Sequence, residues 1–251
     1  MELTLEQNIA GELAEDVERD VFDELKRTGF NHSSYTNVMY ILPAEVKFGG
    51  QAGYAYLNGS LSVIRNEYAS FPYILMHEIG HNFGHHHSGR DTSEYGDQTG
   101  MMGIQVFEND APRACFNAAK SWYFGWYSDR HVEITPTSES TVLNMLSIDD
   151  YLNGQVTSDE QYTVARIVEA HEEDLFVMYN RAEGVNSGVL ANRDQVAIVK
   201  QKDHMKQSIL EVGLGLDDDI PSRWTAIKDV GPCFQAVNPT GVQGTLMRMV
   251  T

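Results

Sequence analysis

The amino-acid sequence predicts an α+β protein in two parts, a mixed part over residues 1–133 and a β-rich part over residues 134–251. In the first part, apolar residues recur with helical spacing in three segments, and short strand-like runs lie between them. In the second part, eight short β-type runs are separated by turn residues. This pattern favours an antiparallel β-sandwich.

The first helix is predicted over residues 4–28. Its apolar positions return at every fourth residue, at Ile9, Leu13, Val17, Val21 and Leu25. Thr4 and Gln7 have the spacing of a capping box, and Gly29 stands where a glycine commonly follows a helix. The opposite face is charged, and we expect it to be solvated.

Two strands, a second helix and a long loop follow. Residues 38–42 form a short apolar run that Pro43 ends. Residues 54–57 and 60–64 flank an Asn-Gly pair, which predicts a hairpin or a tight strand connection. Residues 71–83 have a helical pattern, and residues 84–103 are rich in Gly, Ser and Asp, as a loop is.

A third helix and the β-rich part complete the chain. The helix is predicted over residues 113–124, with its start at residues 110–112 and its end at Gly125. The eight β-type runs lie at 132–134, 141–146, 162–168, 175–179, 195–199, 209–212, 234–237 and 245–250.

The charge balance limits the partners of the protein. There are 36 acidic and 18 basic residues, for a net charge of −18. Such a chain repels phosphate backbones and anionic lipid, so we expect no nucleic-acid partner. No run approaches 18 apolar residues, so we expect no membrane insertion. The three aspartates at residues 217–219 are a candidate Ca²⁺ site, although carboxylates in loops usually contact only water. We expect a monomer.

The cysteines and the N-terminal residues are the features that relate to whether the protein is secreted. Cys115 and Cys233 can form one long-range disulfide or remain buried thiols, and the sequence leaves both open. The first residues have neither the basic nor the apolar region of a signal peptide. A secreted protein would therefore have its leader outside this chain.

The segment from His77 to His87 indicates a metal site. His77 and His81 are four residues apart, so a helix places both imidazoles on one face, one turn apart. Glu78 is rotated by about 100° from His77, so it can take a proton from metal-held water without binding the metal. Gly84 can adopt a positive φ that ends the helix and turns the chain back. His87 then completes a three-histidine Zn²⁺ site with an open position.

Other residues near the three predicted ligands are given different roles. His85 and His86 do not match the spacing of the ligands, so we interpret them as surface or ligand-flanking residues. Met102 precedes Gly103 and is predicted to form a methionine turn beneath the metal, with Met101 as the second choice.

The pattern His-Glu-x-x-His-x-x-Gly-x-x-His followed by a methionine turn is the metzincin signature. Several segments also resemble the gametolysin family of metallopeptidases. They lie at 53–59, 77–84, 87–89, 95–97, 102–103, 115–127, 175–181 and 184–190. The resemblance is dense over residues 35–130 and patchy beyond them.

The resemblance implies a metzincin-like catalytic domain over residues 1–133, a twisted mixed sheet with an active-site helix, followed by the β-sandwich-like domain over residues 134–251. It implies a secreted zinc-dependent endopeptidase that hydrolyses extracellular proteins, including cell-wall or matrix glycoproteins. It assigns the metal to His77, His81 and His87, the base to Glu78 and the turn to Met102.

Some features depart from the family pattern. Members are made with leaders and propeptides, and neither is visible in this chain. The tyrosine that some metzincins place two residues after the turn methionine is absent, because Ile104 stands there. Tyr95 is the candidate in its place.

A peptide substrate is expected to lie extended along an edge strand, because main-chain pairing holds any sequence in a fixed register. The candidate strand comprises Tyr54, Ala55, Tyr56 and Leu57, and an ordinary inner strand is the alternative. An alternative function is an inactive, zinc-containing binding module attached to extracellular matrix. The intact Glu78 argues against it, because an inactive relative needs no base there.

Overall fold

The computed structural model describes residues 3–5, 8–103, 114–135, 143–168, 173–203, 206–214, 225–228 and 234–237. It contains helices together with mixed sheets, which confirms the predicted α+β class. Contacts between Cα atoms divide the described residues into two compact units, one ending at His85 and the other beginning at His86. Compact units need not coincide with the domains that a sequence predicts, so the boundary between residues 133 and 134 stays a prediction.

The first unit begins with a helix, α1, over Ala14–Arg27. This helix starts ten residues later than residue 4, because the preceding chain pairs with a loop instead. The backbone N–H of Gly11, at φ +83°, donates to the carbonyl of Glu45 over 3.0 Å, and Leu13 forms a β-bridge with Lys47. The helix ends as predicted, with Gly29 at φ +84°.

Three strands form the sheet of this unit, β1 over Val38–Leu42, β2 over Gly53–Ala55 and β3 over Leu61–Arg65. Their order is β1-β3-β2, with β1 parallel to β3 and β2 antiparallel to it. The helix α1 packs its apolar face on this sheet in one buried cluster, whose members include Ala14, Val17, Leu25, Tyr40, Leu42 and Val63. A second helix, α2 over Pro72–Asn82, lies against β2 and β3.

The second unit is built on a six-stranded sheet. Its strands are β4 (Ser88–Gly89), β5 (His131–Ile134), β8 (Val164–Ile167), β9 (Asp174–Asn180), β10 (Gln195–Gln201) and β11 (Ser208–Leu214), in the order β4-β11-β10-β9-β8-β5. The two outer pairings are parallel and the inner ones antiparallel. The described residues thus show one mixed sheet here and do not confirm the predicted antiparallel sandwich.

The remaining elements of the second unit are shorter. They are α3 (Ala118–Phe124), β6 (Asn144–Met145), α4 (Ile148–Leu152), β7 (Gln161–Tyr162), the antiparallel pair β12 (Thr225–Lys228) and β13 (Phe234–Val237), and 3₁₀ turns at Ser128–Arg130 and Gly184–Asn186. The first unit also contains 3₁₀ turns at His32–Ser34 and Asn66–Tyr68. The helix α3 begins after the cap residue Asn117, so residues 114–116, which were predicted to be helical, are not. The predicted start at residues 110–112 lies outside the described residues.

Both faces of the six-stranded sheet are buried. Phe176 and Val199 belong to the cluster that α3 covers, whereas Val177 and Ile198 belong to a second cluster that includes Met145. Because alternate residues of a strand face opposite sides, burial of both faces explains why β9 and β10 are continuous apolar runs.

Several predictions fall on parts of the chain that the structure does not describe. These are the strand at residues 245–250, the Ca²⁺ candidate at residues 217–219 and Cys233, so the question of a disulfide stays open. Within the described ranges, none of the helices has both the length and the apolar character that a bilayer crossing requires.

Candidate metal centre

The helix α2 presents the first two histidines of the predicted site. Pro72 is at its first turn, where the missing N–H costs no helical hydrogen bond. His77 and His81 lie one turn apart on it, with ring centroids 4.9 Å apart and ring planes at 85°. The helix therefore brings both imidazoles together, as their spacing predicts.

The end of α2 has the geometry that turns the chain back. Gly84 has φ +90°, and its backbone N–H donates to the carbonyl of His81 over 2.8 Å. The N–H of His85 donates to the carbonyl of Gly80 over 3.0 Å. These two hydrogen bonds form a Schellman motif, which places a left-handed residue directly after the helix. The predicted role of Gly84 in ending the helix is confirmed.

His77, His81 and His87 come together. One ring nitrogen from each lies within 4.8 Å of the other two. Nitrogens bound tetrahedrally to one zinc ion lie about 3.4 Å apart, so small side-chain rotations would close these rings around an ion. Three imidazoles without a thiolate are also the ligand set of a catalytic zinc site with an open position. The residues present therefore fit the ion.

Two of these rings are oriented by hydrogen bonds at Nδ1. That of His81 lies 2.7 Å from the carbonyl oxygen of His85, and that of His87 lies 2.5 Å from Oε1 of Glu94. An Nδ1–H that donates to an oxygen leaves Nε2 as the metal ligand. The ring of Tyr95 packs against that of His87, with ring centroids 4.0 Å apart and ring planes tilted by 36°. His85, which we predicted to flank the ligands, thus contributes its backbone carbonyl.

Burial lowers the pKa of His87 below its ordinary value, and the hydrogen bond to Glu94 opposes this effect. A lowered pKa favours the neutral imidazole, which is the form that binds a metal. The Glu94 carboxylate would in turn make the ring a stronger ligand.

Glu78 is buried next to His77 on α2, with 7% of its surface exposed. Its Oε2 atom has no hydrogen-bond partner within the described residues. Burial raises the pKa of its carboxyl to about 7. A carboxyl group in this state is suited to exchange protons with a reacting molecule near neutral pH.

Hydrogen bonds of the Asn82 side chain hold the C-terminal end of α2 against the hairpin of β2 and β3. Its Nδ2 donates to the carbonyls of Tyr56 and Leu61 over 3.2 and 3.0 Å, and its Oδ1 accepts from the Ser62 hydroxyl over 2.7 Å. The N–H of Asn58 also donates to the carbonyl of His81 over 2.9 Å. The helix that carries two of the candidate ligands is thereby held against the sheet, a role that was not predicted from the sequence.

The strand β2 contains part of the predicted substrate-binding segment. It lies at one end of the order β1-β3-β2, so within the described chain it has a neighbour on one side only. The hydroxyls of Tyr54 and Tyr56 donate to the Glu18 carboxylate on α1 over 2.7 and 3.0 Å. Ala55 is the last residue of the strand, and Leu57 lies beyond it in the turn, with 37% of its surface exposed.

Met102 lies in the loop that follows His87, where it is almost fully buried. Its carbonyl accepts a hydrogen bond from the N–H of Ser88 over 3.0 Å. Gly103 is required by close packing, because a Cβ there would lie 1.8 Å from the carbonyl oxygen of Asp97. The methionine segment is thus tied to the residue after His87, while a place for Met102 beneath a metal stays a prediction.

Comparison with known proteins agrees with this geometry. The family model described as gametolysin peptidase M11 matches residues 14–181, which include every residue of the site. The chain belongs to the gametolysin family. The predicted resemblance is confirmed, and membership of the gametolysin family indicates a peptidase.

A curated relative gives the same indication. Autolysin of Chlamydomonas reinhardtii is 36% identical over 94 residues, which cover 35% of this chain. The aligned part is only 14% of that autolysin's length. No solved structure matches this member of the gametolysin family.

The sequence predicted the candidate ligands but not the residues that support them. Glu94, Asp97 and Asn117 were not predicted, although Asp97 lies in a segment that resembles the gametolysin family. Asp97 is fully buried and accepts hydrogen bonds from Asn117 and Thr99. A carboxylate inside a glycine-rich loop gives no sign of such burial in the sequence, because loop carboxylates are usually solvated.

Proposed function

We propose that this chain is a zinc-dependent endopeptidase of the metzincin type, with His77, His81 and His87 as ligands and Glu78 as general base. The convergence of three histidine nitrogens within 4.8 Å carries this proposal. The buried Glu78, next to a ligand and with one oxygen lacking a hydrogen-bond partner among the described residues, supports it. Membership of the gametolysin family agrees with it.

A bound Zn²⁺ would polarise the scissile carbonyl and lower the pKa of a water molecule at its open position. Glu78 takes a proton from the attacking water and passes it to the leaving amine. Burial raises the pKa of this carboxyl above its ordinary value, which makes it a better proton acceptor than a solvated carboxylate. His85 and Glu94 hold two of the ligand rings in position during this cycle.

The peptide substrate pairs with β2. The carbonyl of Ala52 accepts from the N–H of Arg65, and the N–H of Tyr56 donates to the carbonyl of Leu61. Since successive residues of a strand direct their backbone groups to opposite sides, Gly53 and Ala55 direct theirs away from β3. An extended peptide would form its hydrogen bonds with these backbone groups. The side chains of Tyr54 and Tyr56 instead hold the strand on α1 through Glu18.

Replacing Ala55 by proline is expected to raise KM for a peptide substrate about 3–10-fold, because one outward N–H donor is lost and a net hydrogen bond is worth about 0.5–1.5 kcal/mol. Proline is tolerated at an edge strand when its missing N–H faces outward. Steady-state kinetics on a fluorogenic peptide measure the effect. Ala55→Gly is the control, because it changes the side chain at the same position but keeps the backbone N–H. Equal KM values for the two variants would show that the substrate does not pair with this strand.

The peptidase proposal is tested with casein or gelatin as substrate. Cleavage is expected, a zinc chelator should abolish it, and added Zn²⁺ should restore it. Absence of cleavage by protein that binds zinc in a 1:1 ratio would favour the alternative, an inactive zinc-containing module that attaches to extracellular matrix. Cleavage that survives complete metal removal would overturn the metal assignment.

The location and substrates form part of the same proposal. We infer a secreted enzyme that acts on extracellular proteins, including cell-wall or matrix glycoproteins. Its support is the membership of the gametolysin family and the excess of acidic residues, which disfavours nucleic acid as a partner.

A further inference from the structure

We propose that Gln207 and Ser208, at the start of β11, position the third metal ligand. The segment that they hold, residues 87–97, is called here the third-ligand loop. The inference rests on the proposed function, because it takes His87 to be a ligand. It assigns a role in the metal centre to a strand that lies beyond residues 14–181, the range matched to the gametolysin family.

The first contact is a parallel pairing of β11 with the third-ligand loop. Ser208 lies opposite Ser88, and Ile209 lies opposite Gly89. The hydroxyl of Ser208 also donates to that of Ser88 over 2.9 Å, and both residues are fully buried, at 0% exposure. Ser88 follows His87 directly, so this pairing fixes the backbone on one side of the ligand.

The second contact joins Ser208 to a buried amide and carboxylate. Nδ2 of Asn117 lies 2.7 Å from Oδ2 of Asp97, 2.9 Å from the Ser208 hydroxyl and 3.2 Å from the Ser88 hydroxyl. An amide has only two hydrogens, so the two shorter contacts are the principal ones. The N–H of Asp97 in turn donates to the carbonyl of Ser88 over 3.1 Å. Ser208 therefore completes a network that closes the two ends of the loop on each other.

The third contact reaches the partner of the ligand ring. Nε2 of Gln207 donates to the backbone carbonyl of Glu94 over 2.9 Å. The carboxylate of Glu94 is the group that lies 2.5 Å from Nδ1 of His87. Gly89 gives the Gln207 side chain its room, because a Cβ there would lie 2.5 Å from Nε2. Gln207 thus fixes the backbone of the residue that orients the imidazole.

The strand itself is anchored where it begins. Nζ of the buried Lys120, on α3, donates to the carbonyl of Lys206 over 3.0 Å. Residues 206–208 therefore connect α3, through Lys206, to the third-ligand loop, through Gln207 and Ser208. Residues that contact a metal ligand set the orientation of its ring. Loss of these contacts is therefore expected to lower the zinc affinity more than it lowers the stability of the fold.

The test measures the zinc affinity of the full chain for Ser208→Ala and Gln207→Ala, by competition with a chromophoric chelator. Each variant is expected to raise the zinc Kd about tenfold, the lower end of the effect of losing an outer-shell partner. Thermal unfolding of the metal-free variants is measured in parallel, and the titrations are run well below their unfolding temperatures. Gln207 is partly exposed, so its variant remains informative if Ser208→Ala fails to fold.

Matched controls come from the same unit. Ser147 is a buried serine whose hydroxyl donates to Asp150 over 2.7 Å, and Oε1 of Gln161 accepts from the N–H of Thr157 over 2.7 Å. Ser147→Ala and Gln161→Ala should lower the unfolding temperature to a similar extent and leave the zinc Kd within about twofold of the wild type, because neither residue reaches the third-ligand loop.

Unchanged zinc affinity in both β11 variants would overturn the inference, as would a loss of affinity that the controls share. His87→Ala separates this failure from failure of the proposed function. If His87→Ala loses zinc while the β11 variants retain it, only the positioning role is refuted. If His87→Ala also retains zinc at wild-type affinity, the ligand assignment itself is wrong.

Discussion

Replacing Glu78 by glutamine is expected to leave the zinc content unchanged and to lower kcat for peptide hydrolysis about 10²–10⁴-fold, the usual contribution of a general base. Glutamine has nearly the same shape, so it fits the buried position at 7% exposure without opening a cavity. It cannot take a proton from water. Zinc analysis of the purified variant and kinetics on a fluorogenic peptide measure the two effects.

The effect on kcat should be much larger than that on KM, because the carboxylate acts in the transition state rather than in substrate binding. Glu78→Asp is the informative companion, since it keeps the carboxylate but withdraws it by one methylene. An intermediate rate is expected for it. Hydrolysis by Glu78→Gln at close to the wild-type rate would refute the base assignment while leaving the metal site intact.

The core of the candidate site was predictable because its determinants are local in sequence. The spacing of His77 and His81 places them on one helical face, and Gly84 permits the positive φ that the Schellman motif requires. Eleven consecutive residues therefore contain the helix, the glycine turn and the three imidazoles, while contacts from distant residues hold the third imidazole in place. The start of α1 was predicted less well, because a β-bridge between Leu13 and Lys47 competes with the helical pattern of the preceding residues.

The surroundings of the site depend on contacts between distant parts of the chain. Gln207 and Glu94 are 113 positions apart, and Ser208 and Asn117 are 91 positions apart. No periodicity or spacing in a single sequence reports such a pairing. The mixed character of the six-stranded sheet was missed for the same reason, since β4 and β5 join it from positions far before its inner strands.

Replacing His81 by alanine is expected to remove both zinc and turnover. Its Nδ1 lies 2.7 Å from the His85 carbonyl, which leaves Nε2 for a metal, so the substitution deletes one of the three proposed ligands. The loss of zinc affinity should exceed the about 10–100-fold that loss of an outer-shell partner causes. Competition with a chromophoric chelator measures it, and turnover should be undetectable at zinc concentrations that saturate the wild type.

His86→Ala is the matched control, because His86 lies on the same segment but outside the three converging histidines. It should keep zinc and turnover close to the wild-type values, so a loss in His81→Ala alone reflects ligation rather than the general removal of an imidazole. Zinc retained by His81→Ala at wild-type affinity would remove this residue from the site.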